Sequence, residues 1–173
     1  MSKKTFQYIL GYIIGGLLFL ILIPYCLFCV SRSLDHLISI QLFHSSTLRH
    51  VISIILLVIG LLFGFWSNII QNIKGEGGPV EFANIEISPK TQNLVVTGPY
   101  RYTRNPMLFG ACMLYYAVAI YLNSIVDLII VTLFMIFMLV FVNLTEEPRL
   151  LKDFGNEYEE YRQKVSMFVP WPK

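Results

Sequence analysis

Four apolar segments, each close to the length that crosses the hydrocarbon core of a bilayer, decide most of what this 173-residue chain can become. They run from about Phe6 to Val30, Val51 to Ile70, Met107 to Leu122 and Val126 to Leu144. A spanning helix needs about 20 predominantly apolar residues. The third segment is short, and Asn123-Ser124 separates it from the fourth. With 55% hydrophobic residues, 14% charged residues and a mean hydropathy of +0.63, the chain is too apolar for an ordinary soluble domain. The expected fold is therefore all-α. It is a polytopic membrane protein of about four transmembrane helices with a cytoplasmic loop cap and a C-terminal interfacial helix. We expect one integral membrane domain over residues 1–173, with two N-terminal spans in 1–70, a loop in 71–106 and a hairpin and tail in 107–173.

Lys3 and Lys4 ahead of the first run mimic a secretory signal, but the run is too long and lacks a small-x-small cleavage site. It is read as a retained span, which Pro24 is expected to kink or end. Gly11-x-x-x-Gly15 and Gly60-x-x-x-Gly64 allow close helix approach, with a modest preference for pairing spans one and two. Asp127 would cost about 2.5 to 3.5 kcal/mol at mid-bilayer, so it is expected at the hairpin tip, in the far interface.

Lys and Arg in the flanks set the expected orientation. Eleven lie at the amino terminus, in the second loop and in the tail, and two, Arg32 and Arg49, lie in the first loop. Both termini and the second loop are thus expected in the cytoplasm. The net charge of +2 is weak and dispersed, which argues against nucleic acid. Cys26, Cys29 and Cys112 lie in apolar stretches and read as membrane-buried thiols. His36, His44 and His50 have no usual ligand spacing, so no metal site is expected.

The second loop, Gln71 to Pro106, is about 36 residues and lacks a helical period, which marks it as a functional loop or a disordered one. Turn chemistry at Gly75–Pro79, a short strand at Asn93–Thr97 and a Gly98-Pro99 turn favour a folded cap. After the fourth span, Leu150, Leu151, Phe154, Tyr158, Tyr161 and Val165 recur at helical spacing, which predicts an amphipathic surface helix with Gly155 as a point of interruption.

Two polar clusters flank the hairpin at one membrane face: Val96 to Gly110, with Arg101, Arg104 and Asn105, and Thr145 to Tyr161, with Glu146, Glu147 and Arg149. An antiparallel hairpin brings them together. Arg suits forked carboxylate recognition and Glu suits an ammonium, so an amino-acid-like cofactor head has partners here. Charges of this kind also end spans of any function, and the spacing alone does not choose between these readings.

The run Gly98-Pro-Tyr-Arg-Tyr-Thr-Arg-Asn-Pro106 with Gly110, then Glu146-Glu-Pro-Arg-Leu-Leu-Lys-Asp-Phe-Gly155 and Tyr158-x-x-Tyr161, resembles the isoprenylcysteine carboxyl methyltransferase and phospholipid methyltransferase group of integral membrane enzymes. The likeness covers roughly Leu94 to Pro170. It implies S-adenosylmethionine bound at the cytoplasmic side and a lipophilic or small amphiphilic acceptor entering from the membrane lipid. By matched position, Gly98, Tyr100, Arg104, Asn105, Pro106, Glu146, Tyr158 and Tyr161 are implied in cofactor binding. Glu146, Glu147 and Arg149 are implied in catalysis. The chain departs from the family at Asn105, where histidine is frequent, at Leu108, where an aromatic is frequent, and at Met167. Asn105 cannot serve as a general base near neutral pH. From a different class, a non-catalytic membrane adaptor would use the same loop cap and tail helix to bind a partner.

Overall fold

The structure, a computed structural model, describes residues 3–38, 40–76, 81–82, 85–86 and 91–170. Its helices are α1 (Lys3–Gly16), α2 (Ile23–Leu34), α3 (Ser46–Gly75), α4 (Pro106–Leu122), α5 (Ile125–Phe141) and α6 (Glu147–Lys164). Among the described residues three continuous helical stretches, Ile9–Leu34, Ser46–Gly75 and Ile125–Lys164, are long and apolar enough to cross a membrane. The 17-residue α4 sits at the short end of the spanning range. The molecule is an all-α integral membrane protein, as the apolar pattern predicts.

Pro24 does not end the first span. A π-helical turn, Leu17–Leu22, joins α1 to α2, and the Ile23 N–H bonds to the Leu18 carbonyl, five residues back. Carried one residue further, that pattern would ask Pro24 to donate to Phe19, and proline has no N–H. The Tyr115 hydroxyl of α4 supplies the missing donor, at 3.2 Å from the Phe19 carbonyl. The proline thus ties the first span to α4. The same device recurs ahead of Pro148, where the π-helical turn Val142–Glu146 joins α5 to α6 and the Glu147 N–H reaches the Val142 carbonyl. A π turn holds one residue more than an α turn, so it rotates the first turn of α6 relative to α5. Glu147 opens that turn and takes its direction from the rotation.

Helix α3 buries small residues and exposes large ones. Ser53, Gly60 and Ser67, seven residues apart, are buried, whereas Ile54, Leu62 and Phe65 face outward. Lipid tails are as apolar as leucine, so span pairing depends on close backbone approach rather than on hiding large side chains. The Gly60 and Gly64 face meets α4, not the first span as the sequence suggested: a Cβ on Gly60 would lie 2.8 Å from the Gly110 carbonyl oxygen. A third small residue, Gly110, on α4 completes the fit, and pattern reading on one helix could not reveal it.

At the other end of the bundle, Asn123 adopts the left-handed conformation (φ 60°) that turns α4 into α5, and its amide bonds to the Phe43 backbone. Asp127 is at the hairpin tip as expected, but it is fully buried in protein. Among the described residues neither carboxylate oxygen has a well-formed hydrogen bond, and the nearby Ser31 hydroxyl donates to the Phe28 carbonyl. Asp35, which accepts from the Ser124 hydroxyl at 2.9 Å, adds like charge. Asp127→Asn is accordingly expected to raise stability by about 1 kcal/mol, seen as a higher thermal midpoint in detergent. A lower midpoint would show that the carboxylate is needed.

The strand expected at Asn93–Thr97 does not form; the segment has no ladder partner among the described residues. Its β-branched residues serve packing instead, with Val95 buried against Gly75 at the end of α3. A two-residue antiparallel pairing, Glu81–Phe82 with Ile85–Glu86, lies earlier in the loop. The turn expected at Gly75–Pro79 lies outside the described residues from residue 77 onward.

Candidate functional site

The cap segment enters α4 through Gly98, whose positive φ (64°) turns the chain against Ile70 and Trp66 of α3. A 3-10 turn, Gly98–Arg101, comes next, and Pro106 occupies the first turn of α4, where a missing N–H costs nothing. Between them, the segment after α6 straps down the backbone. The Arg104 N–H bonds to the Ser166 carbonyl at 2.9 Å, and the Thr103 hydroxyl (3.2 Å) and Asn105 amide (2.9 Å) both donate to the Met167 carbonyl. Asn105 therefore uses its side chain as a clamp. Asn105→Ala is expected to cost about 1 kcal/mol, read as a lower unfolding midpoint in detergent.

This clamp holds Arg104 against Glu147. The guanidinium Nη2 lies 2.9 Å from Oε1 of Glu147, both side chains being about nine-tenths buried or more. Arg162 approaches the other carboxylate oxygen at 3.8 Å. The Nε and Nη1 atoms of Arg104 are buried with no hydrogen-bond partner among the described residues. A buried guanidinium with donors to spare is chemically suited to a further anion.

Helix α6 closes the site with the face its periodicity predicts. Tyr158, Tyr161 and Val165 are buried and pack on Leu94, Leu150 and Phe154. Gly155, at φ 55° and ψ −129°, breaks the helix where the sequence allowed an interruption. The Tyr161 hydroxyl donates to the Tyr100 carbonyl at 2.7 Å, joining α6 to the 3-10 turn. Burial, and then the nearby Glu146 carboxylate, push the Tyr100 phenol well above the usual tyrosine range. Tyr100 stays neutral at any working pH.

These elements enclose a cleft of about 210 Å³. Tyr100, Arg104, Asn105 and Pro106 line it from the cap side, and Glu146, Glu147, Arg149, Tyr158 and Tyr161 from the other. Nine of the ten residues that the resemblance implies in cofactor binding or catalysis thus share one cavity, while Arg101 of the same polar cluster does not line it. Gly98 is the exception, packed outside it on α3. The sequence reading missed Met138 and Val142, which precede Glu146 at four-residue intervals on one helix face, a signal that was available. It also missed Gln71 and Thr91, whose side chains bond at 2.5 Å and which no pattern marks.

A second, mainly apolar cavity of about 340 Å³ adjoins the cleft. Gly15, Gly16 and Phe19 of the first span, Gly60 and Gly64 of α3, and Leu114 and Phe134 contribute to its wall. Met107, Leu108 and Met138 line both spaces.

The family model for phospholipid methyltransferases matches residues 48–157, well over half of the chain. The chain belongs to the phospholipid methyltransferase family. The matched stretch takes in α3, the cap, the hairpin and the first half of α6, and so carries both sides of the Arg104 and Glu147 contact. The chain is also similar to methanethiol S-methyltransferase 1 of Bradyrhizobium diazoefficiens, at 32% identity over 72 residues, which is 42% of this chain and 24% of that protein. It spans about a quarter of that relative's length. No solved structure matches the chain. Family membership and the apolar spans together support a membrane methyltransferase.

Proposed function

We propose that the protein is an S-adenosylmethionine-dependent methyltransferase that faces the cytoplasm and acts on a lipophilic or small amphiphilic acceptor. The observation that carries this reading is the buried Arg104 beside Glu147, with two guanidinium nitrogens that lack a partner among the described residues, at the cleft that Glu146 also lines. These residues fit the cofactor. Arg104 would hold its carboxylate, Glu146 its ammonium, and the neutral Tyr100, with Tyr158 and Tyr161, would wall its apolar surface.

When bound, S-adenosylmethionine supplies an electrophilic methyl group on a sulfonium. The protein's share is to align the acceptor and strip its water, and well-oriented pairs recover about 7 to 11 kcal/mol from positioning. With the cofactor held by Arg104 and Glu146 and walled by Tyr100, Tyr158 and Tyr161, the acceptor's nucleophilic atom would take that methyl and the carbon–sulfur electron pair would stay with the donor. A carboxylate or thiolate acceptor needs no base. A thiol or an ammonium must first lose a proton, for which Glu146 or Glu147 at the cleft is the available carboxylate.

The family's name and that of the relative put two acceptors forward for test, a phospholipid amine and a small thiol. Protein in detergent, given methyl-labelled cofactor with a membrane lipid extract or with methanethiol, is expected to release a labelled product resolved by mass spectrometry. An amine or a thiol acceptor predicts a rate rising with pH towards its own pKa, and a carboxylate predicts a flat profile. A folded protein that binds no cofactor would instead fit the membrane adaptor.

A further inference from the structure

Two glycines in the apolar cavity differ from those at the α3 and α4 contact. A Cβ built on Gly16 or on Gly64 meets nothing within 4 Å, whereas one on Gly60 or Gly110 strikes opposing backbone. Gly60 and Gly110 are glycine because helices touch there. Gly64 touches Gly110 through its backbone, but its own Cβ direction, like that of Gly16, opens on free space, and both line the 340 Å³ cavity. Side chains at these two positions would shrink the cavity without forcing the helices apart.

The cavity has few polar groups, and among the described residues one buried atom of these, Asn68 Oδ1, has no hydrogen-bond partner. The Tyr115 hydroxyl is on the Phe19 carbonyl, and the Asn68 amide nitrogen is on the Gly64 carbonyl at 2.9 Å. Its occupant must therefore be apolar along most of its length. From the cavity to the cleft the shared wall is Met107, Leu108 and Met138, three unbranched or γ-branched apolar side chains with no charge. Desolvating a bulky charged head against such a wall would be costly, while a slender nucleophile passes at little penalty.

We propose that Gly16 and Gly64 set the width of a slot for one apolar chain of the acceptor, and that Met107, Leu108 and Met138 form the port that admits its narrow reactive end to the methyl donor. This rests on the methyltransferase reading above. The acceptor class it names is a single-chain lipophile ending in a small nucleophile, and the specificity residues are Gly64 for chain length and Met138 for head width.

The test uses the full chain in detergent, with S-adenosylmethionine titrated by calorimetry and ethanethiol, dodecanethiol, tert-butanethiol and a membrane lipid extract as acceptors. Gly64→Leu is expected to leave the donor dissociation constant within about twofold while lowering the rate on dodecanethiol relative to ethanethiol by about tenfold or more. Gly64→Ala, a milder filling, is expected to move the same ratio in the same direction. Met138→Ala is expected to raise tert-butanethiol relative to ethanethiol by about fivefold or more, a ratio within one variant that cancels any change in donor binding. Unchanged ratios in folded variants would overturn the slot and port. So would a wild type that binds the donor yet methylates neither the thiols nor any component of the extract. A folded wild type that binds no donor would overturn the reading of the polar cleft itself.

Discussion

Glu147→Ala is expected to destabilise the protein by about 3 to 5 kcal/mol, because it leaves the Arg104 guanidinium buried and unpaired. Desolvation governs this number more than attraction does. For contrast, Lys164 and Glu160 form an ion pair at 3.7 Å with both side chains 73% exposed, and Glu160→Ala should change stability by no more than about 1 kcal/mol. The double variant Arg104→Met with Glu147→Leu separates folding from function. Replacing a buried pair by apolar residues of similar size is often neutral or stabilising, so this variant should recover most of the lost stability. It should still fail to bind S-adenosylmethionine. Thermal unfolding of the four proteins in detergent, followed by cofactor titration of those that fold, checks both halves.

Gly110→Ala should have an effect of comparable size from a different cause. The added Cβ would sit 2.7 Å from the Gly64 nitrogen and 2.8 Å from the Gly60 carbonyl oxygen, and both obstacles are backbone. No rotamer relieves such a contact, so α3 and α4 must separate and lose close packing along the Ser53, Gly60 and Ser67 seam. A loss of about 1 to 3 kcal/mol or more is expected. Gly64→Ala, with nothing within 4 Å of its new methyl, should stay within about 0.5 kcal/mol of the parent. Similar midpoints for the two variants would refute the close contact.

Much of this architecture was legible in the residues. Hydropathy located the spans and the hairpin, and period-3.6 spacing located the face of α6 that closes the cleft. The two charged clusters meet because an antiparallel hairpin leaves their ends side by side, which connectivity alone dictates. Other features depend on partners distant in sequence. Pro24 reads locally as a breaker, yet a π turn and the Tyr115 hydroxyl absorb it from another helix. The β-branched run at Asn93–Thr97 has strand propensity but joins no strand among the described residues, and its Val95 is buried instead. Asn105 reads as a cofactor residue and lines the cleft, but its amide bonds to Met167, a contact 62 positions away that no local pattern encodes.

Calorimetric titration of the folded, detergent-solubilised protein with S-adenosylmethionine bears most directly on the cleft between residues 104 and 147. Saturable one-site binding by the wild type, absent from the folded Arg104→Met with Glu147→Leu variant, is the predicted result. A folded wild type without saturable binding, or a double variant that binds as tightly as its parent, would contradict it.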